Sequence, residues 1–428
     1  MNTLLRALLA VVCGVCGVCA GAHAAQSDTV AANTDEIHAS NELVLTLPKG
    51  VALPTHGLRD PATVWIDMID GARREIDFGE FYVSGEAGPR GAALDAVITH
   101  LREAAARGVK IRFLMEAKGT RFSDAATLAR VKAIPGLEFR TLDYDRLTGG
   151  GIIHAKYFLV DGQDGYVGSQ NFDWRSLTQI HETGLHTRDA HLVSELAAIF
   201  DTDWDAAGRL ARGETVEPLH REASHEPDGC RTDDSRGTML VASPASYDPP
   251  GVPDSQAALV CLIGAADKEL RIAVMDYAPL AWAEKGPRLY YGVIDEALRA
   301  AAARGVQIEL LVADWNTGAP SIAWLKSLAL VPNVSIRIVS FPPDADGFIP
   351  YARVLHSKFM AVDNRVAWVG TSNWTGGYLN TSRNIEAILR DAGFAEQLAE
   401  LHGDLWNSPY ATPLDVSRVY ASPHPGRP

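Results

Sequence analysis

A motif that suits phosphoryl chemistry occurs twice in the chain. Each copy has a histidine, a lysine two positions later and an aspartate five positions after the lysine: His154, Lys156 and Asp161 in the first copy, His356, Lys358 and Asp363 in the second. A neutral imidazole can act as a nucleophile, and a nearby ammonium group can hold an anion for attack. Residues two apart in a strand project from the same face, so we expect each histidine beside its lysine.

A glycine turn with polar side chains follows each motif. The turn residues are Gly168, Ser169 and Asn171 in the first copy and Gly370, Thr371 and Asn373 in the second, and the next glutamates are Glu182 and Glu386. Hydroxyl and amide groups offer neutral hydrogen-bond donors, and glycine lets the backbone approach an anion closely. Two such half-sites facing each other would surround one phosphate with two imidazoles, two ammonium groups and two amides.

A single His-x-Lys pair would carry little meaning, because a histidine in an apolar strand is usually a hydrogen-bonded core residue. The duplication, with matched downstream turns, favours a catalytic site. We expect no metal ion and no cofactor, because each histidine neighbours a cation and no cluster of histidine with cysteine or carboxylate ligands surrounds it.

The whole chain is internally repeated. Residues 101–114 align with residues 298–311 at an offset of 197, with ten of fourteen positions identical. The two histidine motifs, and also Trp204 and Trp406, repeat at an offset of 202. Several matches in the same order predict two copies of one unit of about 170 residues.

Each copy alternates apolar strands with amphipathic helices. In the first copy we predict strands at 74–82, 109–115, 137–142 and 152–160 and helices at 91–107 and 125–133. In the second we predict strands at 269–274, 306–312, 334–339 and 354–362 and helices at 289–304 and 322–330. This alternation indicates the α/β fold class, with two tandem α-β-α sandwich repeats on mostly parallel or mixed sheets.

The predicted domain organisation begins with a secretory signal peptide. Residues 1–24 carry one charge, an apolar run too short to span a membrane comfortably, and small residues before a cleavage point. The other segments are a first repeat at 25–211, a polar linker at 212–237, a second repeat at 238–412 and a C-terminal tail at 413–428. We therefore expect an exported protein, periplasmic or secreted, with no stable membrane span after processing.

Composition and cysteine usage agree with export of a globular protein. The chain has 428 residues, of which 47% are hydrophobic and 21% charged, and its net charge is −14. That charge argues against coating nucleic acid or anionic membranes, but it allows a small basic pocket. Outside the signal segment only Cys230 and Cys261 remain, and in an oxidising compartment they could form a disulfide; two free thiols are the alternative.

The paired motifs resemble those of the phospholipase D superfamily over nearly the whole mature chain. Residues 169–179 and 351–356, together with 370–374, are most similar to the animal lysosomal phospholipase D-like proteins, which are 5′-exonucleases on single-stranded DNA and RNA. The resemblance implies two α/β halves related by a pseudo-twofold axis, with the active site at their interface.

The resemblance also implies a role for each motif residue. The catalytic residues would be His154 and His356, with Lys156 and Lys358 binding phosphate. Asn171, Asn373, Ser169 and Thr371 would add phosphate contacts, Glu182 and Glu386 would orient the histidines, and Asp161 and Asp363 would be structural supports. By analogy His154 is the nucleophile and His356 the acid and base.

The implied activity is metal-independent phosphodiester hydrolysis through a phosphohistidine, with single-stranded nucleic acid cut from an end. The alternative is a phospholipase D or transphosphatidylase on phospholipid headgroups, and a third hypothesis is an inactive binding scaffold. Around the motifs, tryptophans could stack a base and arginines could hold a second phosphate; the candidates are Trp174, Trp374, Arg175 and Arg353. For Trp174 a core role is favoured. The loop 341–350 is a candidate lid.

Overall fold

The computed structural model describes residues 37–219, 237–282, 287–423 and 426. Two sheets form the centres of two α/β halves. The strands of the first half are β1 (Asn41–Thr46), β2 (Glu75–Glu80), β3 (Val83–Ser84), β4 (Lys110–Glu116), β5 (Leu137–Leu142), β6 (Tyr157–Val160), β7 (Asp164–Gly168), β8 (Phe172–Asp173) and β9 (Glu182–Thr187). Its helices are α1 (Pro61–Gly71), α2 (Ala92–Ala106), α3 (Ala125–Lys132), α4 (Asp145–Thr148), α5 (Trp174–Thr178) and α6 (Ala190–Ala211).

The second half repeats this arrangement. Its strands are β10 (Thr238–Ser243), β11 (Glu269–Val274), β12 (Tyr277–Ala281), β13 (Gln307–Ala313), β14 (Val334–Val339), β15 (Phe359–Val362), β16 (Val366–Gly370), β17 (Trp374–Gly376), β18 (Asn384–Leu389) and β19 (Ala411–Pro413). Its helices are α7 (Ser255–Ala265), α8 (Val293–Ala303), α9 (Ser321–Ala329) and α10 (Ala392–Asn407). Short 3₁₀ helices lie at Pro89–Gly91, Lys118–Arg121, Ala245–Tyr247 and Asp314–Thr317.

The two sheets have the same strand order. The first runs β1-β9-β7-β6-β2-β4-β5, and the second runs β10-β18-β16-β15-β11-β13-β14, with β19 added at its edge. In the first sheet β2, β4 and β5 are parallel, whereas β1, β9, β7, β6 and β2 pair antiparallel. This confirms the predicted α/β fold class with duplicated mixed sheets.

Helix packing follows the apolar periodicity of the sequence. Helix α2 buries Leu94, Val97, Ile98 and Leu101, which are spaced to form one face of a helix. The repeated tryptophans have equivalent surroundings. The guanidinium of Arg140 lies 4.0 Å from the Trp204 ring centroid, and that of Arg337 lies 4.8 Å from the Trp406 ring centroid.

The histidine segments differ from the prediction. We expected strands over 152–160 and 354–362, but regular pairing begins only at Tyr157 and Phe359. Before those residues the backbone bonds to the opposite half instead. The N–H groups of His154 and Ala155 each donate to the carbonyl of Arg383 at 2.9 Å. The motif segments therefore join the two halves rather than extend the sheets.

The pseudo-equivalent contact in the other direction completes this junction. The N–H groups of His356 and Ser357 each donate to the carbonyl of His181 at 2.9 Å. Arg383 is fully buried beside this junction, and its guanidinium pairs with Asp203 of α6 at 2.9 Å and with Asp248 at 2.5 Å. Backbone bonds and buried ion pairs thus hold the halves in register.

The motif aspartates end the strands that follow the histidines. Asp161 has a φ of +55° and accepts the N–H groups of Arg73, Arg74 and Glu75 at 2.7–2.9 Å. Asp363 has a φ of +53° and accepts three N–H groups at 2.8 Å, from Asp267, Lys268 and Glu269. Each carboxylate therefore ties the end of its own strand to the start of β2 or β11.

Parts of the predicted organisation lie outside the described residues. The signal segment 1–24 and Cys230 are among them, and the domain boundaries stay predictions. Cys261, on α7, is disulfide-bonded. In the part of the chain that is described, no helix is both long enough and apolar enough to cross a membrane.

Candidate active site

The two motif histidines lie where the halves meet, and each is oriented by a side chain from the opposite half. Nδ1 of His356 lies 2.6 Å from Oε2 of Glu182, the first residue of β9. Nδ1 of His154 lies 3.0 Å from Oδ1 of Asn384, the first residue of β18. Both imidazoles are buried, with 8% of His356 and 6% of His154 exposed. The equivalent strands therefore present a carboxylate to one histidine and a neutral amide to the other.

The prediction that Glu386 orients a histidine is wrong. Its carboxylate instead accepts hydrogen bonds from the hydroxyls of Ser255 and Ser372. Glu386 lies two residues after Asn384 on β18 and pairs with Gly370 of β16. It therefore lies further from the junction of the halves than Asn384 does. At the repeat offset of 202, the residue equivalent to Glu182 is Asn384, not Glu386. That offset was the available signal.

The hydrogen-bond network around Asn384 determines which way its amide faces. Oδ1 accepts the hydroxyl of Thr371 at 2.9 Å, and Nδ2 donates to the carbonyl of Tyr378 at 2.7 Å. With Oδ1 turned toward His154, the imidazole must donate from Nδ1. This leaves the lone pair of His154 on Nε2.

The lysines are buried beside their histidines. Nζ of Lys156 donates to the carbonyl of His154, and Nζ of Lys358 donates to the carbonyl of His356 at 2.5 Å. Burial lowers the pKa of both ammonium groups, that of Lys358 to about 7, while the carboxylate of Glu182 acts in the opposite direction. A bound anion would replace lost solvation and stabilise both charges.

Burial also shifts the pKa values of the two histidines and of Glu182. It lowers the pKa of His154 and His356 well below the usual value, and the nearby ammonium groups of Lys156 and Lys358 act in the same direction. Burial raises the pKa of the Glu182 carboxyl to about 7. The protein groups alone therefore bias both imidazoles toward the neutral form.

The turn residues divide into two groups. The amide oxygens of Asn171 and Asn373 are buried and have no hydrogen-bond partner within the described residues. By contrast, the hydroxyl of Ser169 donates to the carbonyl of Thr183 at 3.1 Å, and that of Thr371 donates to Asn384. The hydroxyls of Ser169 and Thr371 therefore bind residues of β9 and β18. This differs from the phosphate contacts that we predicted for them.

A family model described as "Cardiolipin synthase, PLD-like domain" matches residues 65–204 and 259–406. Together these ranges include both histidine motifs and most of the described chain. The chain belongs to the phospholipase D superfamily. It is a phosphodiester hydrolase of the phospholipase D-like type, with one motif in each matched segment.

Curated relatives support this assignment over most of the chain. A protein named phospholipase D Z from Dictyostelium discoideum is 32% identical, over 82% of this chain and 85% of its own length. The 5′-3′ exonuclease PLD3 from Rattus norvegicus is 31% identical, over 88% of this chain and 80% of its own length. Among solved structures, phosphatidylserine synthase from Haemophilus influenzae has the same fold, with a TM-score of 0.57 and 11% identity over 84% of this chain and 86% of that one.

Aromatic rings surround the first histidine of this phospholipase D-like site. The ring of Tyr378 lies 4.7 Å from the His154 ring in an edge-on arrangement, and the ring of Phe81 lies 5.8 Å away. Carboxylates lie behind the lysines: Glu80 near Lys156, and Asp276, which accepts from Asn373 Nδ2 at 3.3 Å. Sequence reasoning missed these residues because they lie at the end of β2, just after β2 or β11, or on a turn before β18, where no repeated pattern marks them.

The secondary tryptophan candidates are core residues. Trp174 and Trp374 are only 5% and 2% exposed, so neither offers a ring face to a base. For Trp174 this agrees with the favoured core interpretation. The base-stacking prediction for Trp374 is wrong, because its ring packs edge-on against Trp368, with a centroid distance of 6.0 Å.

The arginine and loop candidates also have internal partners. Arg175 pairs with Asp173 at 2.7 Å and donates to the carbonyl of Pro350. Arg353 donates to the carbonyls of Pro342 and Lys49. Both guanidinium groups therefore bind backbone at the ends of the loop 341–350, which corrects their prediction as phosphate ligands. These bonds hold the two ends of the loop, and its role as a lid stays a prediction.

Proposed function

We propose that this chain hydrolyses single-stranded nucleic acid from an end, without a metal ion, through a phosphohistidine on His154. The observation that assigns different roles to the two histidines is that one has a carboxylate as its hydrogen-bond partner and the other has a neutral amide. A carboxylate stabilises an imidazolium far better than a neutral amide does. Glu182 therefore favours a proton on His356, and Asn384 favours a neutral His154 with its lone pair on Nε2.

The first chemical step uses both histidines. Nε2 of His154 attacks phosphorus, a P–N bond forms, and the P–O bond to the leaving oxygen breaks. His356 gives its Nε2 proton to that oxygen. The Glu182 carboxylate, 2.6 Å from Nδ1 of His356, stabilises the imidazolium that carries this proton on Nε2, and the negative charge of a bound phosphodiester favours the same form.

The second step returns the enzyme to its starting state. Neutral His356 takes a proton from water, the water oxygen attacks phosphorus, and the P–N bond breaks. Lys156 and Lys358 stabilise the charge on the non-bridging oxygens in both steps, together with the amide groups of Asn171 and Asn373. Burial makes these interactions stronger than they would be in water.

The residues of the site do not suit a metal ion. Two ammonium groups lie beside the histidines and would repel a cation. Within the described residues, the group with ligand geometry is Asp70, His100 and Glu103 on α1 and α2, and it includes no motif residue. The chemistry of the donors therefore supports metal-independent transfer.

Two observations support nucleic acid and export. The relatives include proteins named 5′-3′ exonuclease, at 29–31% identity over 88% of this chain. The disulfide at Cys261 fits an oxidising compartment. The second candidate substrate is a phospholipid, because the Dictyostelium relatives are named phospholipase D.

A comparison of two substrates tests the proposal. The purified mature chain would be incubated with an end-labelled single-stranded oligonucleotide and with phosphatidylcholine vesicles, and His154→Ala would be the control. We expect mononucleotide release from the oligonucleotide, none from the lipid, and none with the variant. Headgroup release without nucleotide release would establish the lipid activity, and release from neither substrate would favour a binding scaffold.

A further inference from the structure

A cavity of about 330 Å³ opens beside His154, between the two halves. Its first-half wall comes from the segment after β4 and from the segment before His154, and its second-half wall comes from the ends of β12 and β17. The lining residues on which the argument depends are Phe81, Lys118, Arg121, Phe122, His154 and Trp282. Its volume is within the range of small-molecule sites.

The charge of this cavity is opposite to that of the protein. Its lining includes Lys118 and Arg121 but no carboxylate, although the chain carries a net charge of −14. Nζ of Lys118 lies 3.4 Å from a carboxylate oxygen of Asp145, which neutralises part of its charge. The guanidinium of Arg121 lies over the Phe122 ring, 5.2 Å from the centroid, and has no acidic partner in the described ranges. Arg121 is therefore an available cation at the cavity.

Exposed aromatic rings lie on both sides of the same cavity. Phe122 is 51% exposed and Trp282 is 55% exposed, and they come from opposite halves. The Phe122 ring lies 5.6 Å from Phe81, whose ring lies 5.8 Å from that of His154. A continuous row of rings thus leads from the surface to the proposed nucleophile.

The cation-bearing segment is held in a fixed position relative to His154. The buried carboxylate of Glu116 accepts the N–H of Lys118 at 2.9 Å and that of Ile153 at 2.7 Å. A Cβ at Gly119 would lie only 1.8 Å from the carbonyl oxygen of Phe81, so this close approach requires glycine. The 3₁₀ helix Lys118–Arg121 and the histidine segment therefore share one support.

We propose that this cavity is a subsite for the nucleotide adjoining the scissile phosphate, and this inference rests on the proposed function. Arg121 and Lys118 bind the second phosphate of the strand. Phe122 and Trp282 stack on its base. A cation beside exposed rings is the combination that binds single strands without sequence preference.

The test compares substrates that have and lack a second nucleotide. Bis(p-nitrophenyl) phosphate has the scissile phosphodiester but no second phosphate. We expect Arg121→Ala to raise KM for a single-stranded oligonucleotide about tenfold and to leave kcat/KM for the small diester unchanged. Arg102→Ala, an equal change of charge at an exposed position of α2 away from the cavity, should alter neither. The slope of log KM against log salt should fall by about 0.7 in Arg121→Ala.

The stacking part is tested with an abasic substrate. Wild type should prefer a normal second nucleotide over an abasic one, and Trp282→Ala should lose about tenfold of that preference. Far-ultraviolet circular dichroism would show that each variant is folded. If wild type cleaves no oligonucleotide, the proposed function fails. If wild type cleaves it and Arg121→Ala has an unchanged KM and salt slope, the function stands and the subsite is wrong. If Arg121→Ala weakened activity on phosphatidylglycerol vesicles as much as activity on the oligonucleotide, the cavity would be assigned to lipid binding.

Discussion

Glu182→Gln removes the carboxylate that can pair with a His356 imidazolium, while keeping the size of the side chain. The carboxylate lies 2.6 Å from Nδ1 and is fully buried, so no solvent replaces it. Two opposite charges with centres about 4 Å apart interact by ~4 kcal/mol at an effective dielectric constant near 20. An amide still accepts the Nδ1 proton but offers little of that energy to an imidazolium. We therefore expect kcat on oligonucleotides to fall by about 10²–10³-fold.

The dependence on leaving group distinguishes a lost acid from a damaged site. A nucleoside alkoxide needs a proton to leave, whereas p-nitrophenolate does not. In Glu182→Gln, the first-turnover burst of p-nitrophenol from bis(p-nitrophenyl) phosphate should therefore fall less than about tenfold. Glu386→Gln is the matched control: the same change on β18, where the carboxylate contacts Ser255 and Ser372 and neither histidine. Equal losses on both substrates, or an equal loss in Glu386→Gln, would refute the assignment of Glu182.

Three further predictions concern stability and metal ions. Burial raises the folded-state pKa of Glu116 to about 7, above an unfolded value of 4.5, so this residue's contribution to stability is lost as pH rises through that interval. Glu116→Gln should remove up to ~3 kcal/mol of this pH dependence, measured by urea unfolding at pH 5 and pH 8; parallel wild-type and variant curves would contradict it. Arg383→Met leaves Asp203 and Asp248 buried without their cation and should lower the free energy of unfolding by ~3–5 kcal/mol, whereas replacing the exposed Arg212 should not; equal effects would count against a buried network. Oligonucleotide cleavage should continue in excess chelator, and loss of activity that zinc or magnesium restores would overturn metal independence.

Much of the site was predictable because duplication marks it. The matched motifs predicted that the two histidines and two lysines lie together, and the structure places these four residues near one another at the junction of the halves. The alternation of apolar strands with helices predicted both sheets, and the bounds of β5, β11 and β14 agree with the prediction at every residue. Local periodicity carried these features, and both copies share it.

The errors arose where an interaction crosses between the halves. Glu386 was chosen by residue type, whereas the position equivalent to Glu182 is occupied by an amide, which pairs with the histidine of the other copy. The strands 152–160 and 354–362 were predicted too long because their first residues bond across the junction. The apolar pattern of one segment gives no information about a hydrogen-bond partner in the other half. The cavity residues were missed for the same reason, since Arg121 and Trp282 meet only in the folded chain.

In the proposed mechanism the phosphoryl group is transferred to His154, while His356 donates a proton to the leaving oxygen and later accepts one from water. A rapid-quench reaction with a ³²P-labelled oligonucleotide, followed by digestion under alkaline conditions that preserve phosphohistidine, locates the label. We predict acid-labile label on the peptide containing His154 and none in His154→Ala. With bis(p-nitrophenyl) [³²P]phosphate, whose leaving group needs no proton, the label should accumulate in His356→Ala, which lacks the base for the second step. Label on His356 that persists in His154→Ala would contradict it.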